Sequence, residues 1–137
     1  MTMQEKLLTS PFVLQEGAVI LRPFTRRELM SKEYLNWMND PRVTRTIGRF
    51  DYLLPVSRAK LVEYFNNIDT DTTVFLGIHK RSHTREKPDF VGTLKIYDID
   101  YLARRVALGI MVGDTKVWGK GIASTAIRLA CRYVFEE

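Results

Sequence analysis

The sequence of 137 residues predicts an α/β chain of the α+β layered kind, a mixed, largely antiparallel sheet flanked by helices. Three observations carry this. Short β-branched and aromatic runs recur, three of them in succession between residues 72 and 114. Segments with apolar residues at helical spacing precede and follow those runs. Neither a repeat nor a low-complexity tract interrupts them, and the length suits one domain spanning residues 1–137.

AVILRPF (18–24) reads as a first strand. Thr25 and Glu28 then form a capping box for a helix TRRELMSKEYLNWM, with Leu29, Met30, Tyr34, Leu35 and Met38 on its apolar side. Asn39-Asp40-Pro41 stops it, and Asp40 caps a short second helix with Pro41 in its first turn. Ser57 opens RAKLVEYFNNI, whose Leu61, Tyr64, Phe65 and Ile68 share a face. TTVFLGIHK (72–80), FVGTLKIYDID (90–100) and RRVALGIMVGD (104–114) are strands. The last is apolar enough to be covered on both faces. Gly92 and Gly109 inside strands mark a bulge or a close approach. From Trp118 onward runs a helix with Ile122, Ala126, Leu129, Ala130, Tyr133 and Val134 inward. It ends at Phe135-Glu136-Glu137 without glycine, asparagine or a basic last turn, so the fold is expected to be incomplete at its C-terminal end or completed by another polypeptide.

The composition excludes several classes. No apolar run approaches the ~20 residues of a membrane span. The start MTMQEKLLTS lacks the apolar core of a signal peptide, so a cytoplasmic protein is expected. One cysteine, Cys131, leaves neither an intrachain disulfide nor a cysteine metal cluster, and it falls in the apolar stripe of the last helix as a buried thiol. His79 and His83 flank a basic loop without metal-ligand spacing and are expected in solvent; no metal is expected. The net charge of +5 fits nucleic acid or an anionic cofactor. The basic residues do not gather on one helical face, and the densest loop, HKRSHTREK, reads as a hairpin tip, which makes nucleic acid the weaker partner.

GDTKVWGKGIASTA (113–126) is the segment that points to chemistry. A Walker loop fails, because Gly113 and Gly119 are separated by five residues and Lys120 is followed by Gly121. The dinucleotide fingerprint fails as well, with Ser124 in the third glycine's place and a meander upstream. What survives is a strand, then Lys116-x-x-Gly119-x-Gly121-x-Ala123 opening a helix. Small residues beside free helical N–H groups suit a pyrophosphate; a turn that only reverses the chain uses the same residues.

The stretch from Val106 to Phe135 resembles the acetyl-CoA-binding core of the GNAT N-acetyltransferases, whose pattern Gln/Arg-x-x-Gly-x-Gly/Ala is matched at Lys116, Gly119 and Gly121, with Lys in the usual Gln or Arg place. WGKGIA, together with ILRPF, YLNWMNDPRVTRTIG and FVGTLKIYDID, is similar to the branch that acetylates the N-termini of ribosomal proteins, and the resemblance covers about residues 17 to 137. It implies the GNAT acyl-CoA N-acyltransferase fold, acetyl-CoA as cosubstrate, and direct attack by a primary amine of a protein N-terminus or a small molecule. It implies that the backbone of Ile110, Met111 and Val112 holds the pantetheine arm, with a bulge near Gly113. The pyrophosphate falls to Lys116, Trp118, Gly119, Lys120, Gly121, Ile122 and Ala123, with Ser124 and Thr125 adding hydroxyls.

Many relatives carry an acid where this chain has Ala107, so no catalytic base or acid is assigned, and Asp98 and Asp100 are weak candidates. The acceptor side is expected around Trp37, Asn39, Arg45 and Arg49. The alternative reading is an incomplete or non-catalytic module that binds acetyl-CoA or a partner; a basic RNA-associated protein is the third. An uncovered edge beyond residues 104–114 makes a homo-oligomer an expectation too.

Overall fold

The computed structural model describes residues 13–47 and 55–136. Five strands form one antiparallel sheet in sequence order: β1 (Leu14–Glu16), β2 (Val19–Pro23), β3 (Val74–Lys80), β4 (Asp89–Asp100) and β5 (Arg105–Val112). β1 was not visible in the alternation of side chains. It pairs Leu14 with Leu21 across a two-residue turn in which Gly17 takes φ +57°, the sign glycine adopts freely.

Local chemistry explains the helices. Thr25 and Glu28 form the expected capping box at α1 (Arg26–Leu29). The helix does not run on to Met38. Ser31 interrupts it, accepting from the Tyr34 amide at 3.2 Å and donating to the Glu28 carbonyl at 2.7 Å, so a new helix α2 (Lys32–Met38) starts there. A serine that satisfies backbone groups at a break removes the advantage of continuing the helix. Asp40 caps α3 (Pro41–Thr44), and Ser57 caps α4 (Arg58–Asn66), both as expected. The last helix, α5 (Ile122–Glu136), begins four residues after Trp118 because Gly119 and Gly121 both take positive φ, +79° and +77°.

Two apolar layers cover the sheet. Leu21, Leu76, Ile78, Leu94 and Ile96 pack under Ile122, Ala126, Leu129 and Ala130 of α5 on one face. On the other, Phe24, Tyr34, Met38, Leu61, Phe75 and Met111 join α1 to α4 to the sheet. Each fully buried Leu or Ile contributes about 1.5–3 kcal/mol. Glu16 of β1 takes both Arg128 and Arg132 of α5, which ties the helix to the sheet's first hairpin. Cys131 is half-buried, not fully inside. Among the described residues no helix is long and apolar enough to cross a membrane.

Val91 is an extra residue in β4: β3 pairs Ile78 with Gly92 and His79 with Phe90, leaving Val91 between them unpaired. Its carbonyl accepts the amides of Gly113 at 2.9 Å and Asp114 at 3.1 Å, which ends β5 and turns the chain toward the glycine-rich segment. The pairing of β4 with β5 is continuous from Gly92–Val112 to Tyr97–Ala107, and just beyond it the successive amides of Gly113 and Asp114 share one carbonyl, an irregularity at the position where a bulge was expected. Gly92 has the close approach its position suggested: a Cβ there would fall 2.2 Å from the Met111 carbonyl oxygen.

Candidate active site

Two hollows meet at β5. The first, of 400 Å³, is a cleft lined by Ile110 and Val112 of β5, by Val117, Trp118, Gly119 and Gly121 of the turn, by Ile122, Ala123 and Ser124 of α5, and by Thr46. β5 has one partner among the described strands, so alternate backbone groups along its free edge open into the cleft. Trp118 folds back, and its indole Nε1 donates to the Val112 carbonyl at 2.7 Å.

The helix end at this cleft differs from the other four. α1 to α4 are capped by the side-chain oxygens of Thr25, Ser31, Asp40 and Ser57. α5 is preceded by Gly121, whose carbonyl accepts from Thr125 but which has no side chain to satisfy the first amides of the helix. A Cβ built on Gly119 or Gly121 meets nothing within 4 Å. Open space over unsatisfied helical N–H groups suits an anion, and a pyrophosphate fits the donor set. Lys116 and Lys120 are exposed on the same turn, outside the lining residues, where they contribute charge at its rim.

The second hollow, of 380 Å³, lies on the other face of the sheet. Tyr34 and Met38 of α2, Tyr64 of α4, Phe75, and Thr93, Lys95 and Tyr97 of β4 line it, together with Leu108 to Met111 of β5. Thr46 and Ile110 line both hollows and mark where they join. Lys95 Nζ donates to the Tyr64 hydroxyl at 2.7 Å and sits 4.6 Å from the Tyr97 ring centroid. Among the described residues no aspartate or glutamate lines this hollow. Ala107, where many relatives carry an acid, pairs with Tyr97 on β4. Asp100 is committed to the hairpin turn, accepting the amides of Leu102 and Ala103 at 3.0 and 2.9 Å.

The residues expected on the acceptor side have other tasks. Trp37 packs on Phe90, ring centroids 4.9 Å apart, and against Gly113. Asn39 clamps the segment before α4: its Nδ2 donates to the Leu35 and Val56 carbonyls at 3.0 and 2.9 Å, and its Oδ1 accepts from the Val56 amide at 2.7 Å. Arg45 is exposed and lines neither hollow; Arg49 lies outside the described residues. Met111 points its side chain into the second hollow, on the opposite face from the cleft, so its place in the cleft is by backbone alone. The residues sequence reasoning missed are Thr93, Lys95 and Tyr97. Their period-two polarity, set between the buried Leu94 and Ile96, was the available signal.

His79 is not in solvent. It is buried beside Phe90, and its Nε2 lies 2.6 Å from Glu28 Oε2. That N–H is not aimed along the contact, so the attraction is electrostatic. Glu28 Oε1 accepts from the Thr25 amide at 2.9 Å and from its hydroxyl at 3.0 Å. Burial pushes the Glu28 carboxyl up, but His79 and the bonds from Thr25 outweigh it and hold the group below the ordinary carboxylate range.

Comparison with known proteins agrees with this architecture. The acetyltransferase (GNAT) domain matches residues 18–137. Among curated protein sequences none matches. Among solved structures, a domain from Methanocaldococcus jannaschii superposes with a TM-score of 0.71 at 18% identity, over 88% of this chain and 72% of that one. A spermidine N-acetyltransferase from Vibrio cholerae, solved with CoA and spermine, gives 0.67 at 23% identity, over 87% and 64%. A GCN5-related N-acetyltransferase from Brucella melitensis gives 0.68 at 15% identity, over 93% and 56%. This chain thus spans between 56% and 72% of the length of these three neighbours. The five-stranded antiparallel sheet, the anion-ready turn before α5 and the family match together make this chain a member of the GNAT acetyltransferase family.

Proposed function

We propose that the domain moves an acetyl group from acetyl-CoA to a primary amine of a peptide N-terminus or of a small molecule. The observation that carries this is the junction of the two hollows at Thr46 and Ile110, one built for an anion and the other large enough for a small acceptor. Bound in the cleft, the cofactor supplies an acetyl thioester. The amides at the start of α5 hold its diphosphate, the free edge of β5 from Ile110 to Val112 orients its arm, and Trp118 covers that edge.

The second hollow orients the amine. Its walls include tyrosines, threonines and Lys95 and, among the described residues, no carboxylate, so the ammonium proton leaves through water instead of to a side-chain base. The same feature favours a second reading, an acetyl-CoA-binding module that does not turn over.

Two measurements separate the readings. Acetyl-CoA should raise the melting temperature, and free CoA should appear when a panel of amines is added. Stabilisation without CoA release from any amine would favour the binding module. No stabilisation at all would remove both.

A further inference from the structure

Lys95 brings a cation into the acceptor hollow without an anion to meet it. The residue projects from the middle of β4, between Leu94 and Ile96, which are buried on the opposite face. Its ammonium is half-buried, bonded to the Tyr64 hydroxyl at 2.7 Å, and 4.6 and 5.4 Å from the ring centroids of Tyr97 and Tyr64. Among the described residues no carboxylate forms an ion pair with it. The hydroxyl and the ring faces satisfy part of what water would supply, and a full charge removed from water is still costly until an anion arrives. Thr93, Tyr34 and Tyr97 also line the space.

We propose that Lys95 receives the carboxylate of the acceptor, so that the substrate class is an amino acid or a similar small molecule carrying both amine and carboxylate. The proposal rests on the acetyl-transfer reading above and narrows it. Lys95 pairs across the sheet with Gly109, the neighbour of Ile110 where the two hollows join. Lys95 and Ile110 thus lie on adjacent strands one residue out of register, and both line the same hollow, which suits an acceptor whose carboxylate and amine are a few bonds apart. Gly109 leaves that place open, since a Cβ there would make only an ordinary contact, 3.6 Å from the Tyr97 ring. A polyamine fits poorly: it offers only positive charge to a wall that already carries one, with no acid among the described lining residues to neutralise it.

The test uses matched acceptors: the amino acids, their decarboxylated amines, their amides, and spermidine. For the best amino acid, kcat/KM should exceed that of its decarboxylated amine by at least about tenfold, equivalent to about 1.4 kcal/mol. In Lys95→Gln that ratio should fall toward one through KM, and Lys95→Arg should restore it. Lys87→Gln, on the exposed hairpin loop, should leave the ratio as it is.

A second readout does not need turnover. Amino acids, but not decarboxylated amines, should protect Lys95 from an amine-labelling reagent scored by mass spectrometry. Equal or better use of the decarboxylated amines, an equal loss for all acceptors in Lys95→Gln, or absence of selective protection would each overturn the proposal. Failure of the acetyl-transfer reading looks different: it is absence of CoA release from every amine, whatever the labelling shows.

Discussion

Trp37 occupies the space that a side chain on Gly113 would need: a Cβ built there would fall 2.1 Å from the indole Cδ2. The indole thereby locks α2 against the end of β5, where the chain leaves the sheet for the glycine-rich turn. Gly113→Ala should destabilise the fold by about 1–3 kcal/mol, because neither ring nor backbone can yield without repacking. In a Trp37→Leu background the same substitution should cost less, with a coupling of about 1 kcal/mol or more in a denaturation double-mutant cycle. Independent, additive losses would show that the indole is not what forbids a side chain.

The glycines of the turn should behave in the opposite way. Gly119 and Gly121 have positive φ and no neighbour within 4 Å, so alanine at either meets only backbone strain of about 1 kcal/mol in the folded protein. The methyl of Gly121→Ala would project into the space proposed for the diphosphate. Calorimetric titration should therefore give acetyl-CoA binding about tenfold weaker, far beyond the effect on melting temperature. Unchanged affinity would move the diphosphate elsewhere.

Glu28 should make stability depend on pH over a narrow acidic window. Its folded-state carboxyl is held below the ordinary value of 4.5, so the stabilisation is fully present above that value and is lost as pH falls through the lower folded one. Glu28→Gln keeps an oxygen for the Thr25 amide but loses the charge facing His79. Urea melts at pH 7 should show a cost of about 1–3 kcal/mol. That cost should shrink as pH is lowered below about 4.5, because only the native glutamate titrates there. A cost that does not change with pH would mean that shape, not charge, is what matters at this contact.

With no carboxylate among the described residues of the acceptor hollow, the pH profile of acetyl transfer should follow the substrate. Log kcat/KM should rise with unit slope and level off at the acceptor's own pKa, about 8 for a peptide α-amine and above 10 for an alkyl ammonium. A plateau at one pH for both acceptors would reveal a protein base.

Much of this architecture could be read in order along the chain. The capping box at Thr25 and Glu28, the stop at Asp40-Pro41 and the cap at Ser57 involve residues within a few positions of one another, so spacing alone carries them. β1 escaped notice because three residues show little alternation, and the break at Ser31 because the apolar spacing continues across it.

The acceptor side was less legible for a different reason. Trp37, Asn39 and Arg45 cluster near a helix break, as binding residues often do, yet the first two are spent on packing and on clamping a loop, and the third is exposed and lines neither hollow. Their roles depend on partners that are distant in sequence, such as Gly113 and Val56.

The sequence by itself determined four of the five described strands, the caps at Thr25, Asp40 and Ser57 and the glycine turn before α5, since hydrophobic period, hydrogen-bonding side chains and φ preference act over a few residues. Only the tertiary structure decided which polar groups share a hollow. Lys95 meets Tyr64, and Glu28 meets His79, because the sheet register and the seating of helices on the sheet set the direction of every side chain. One extra residue at Val91 changes that register; Gly92 beside it marked a bulge or a close approach in the sequence, but not how the strands on either side pair.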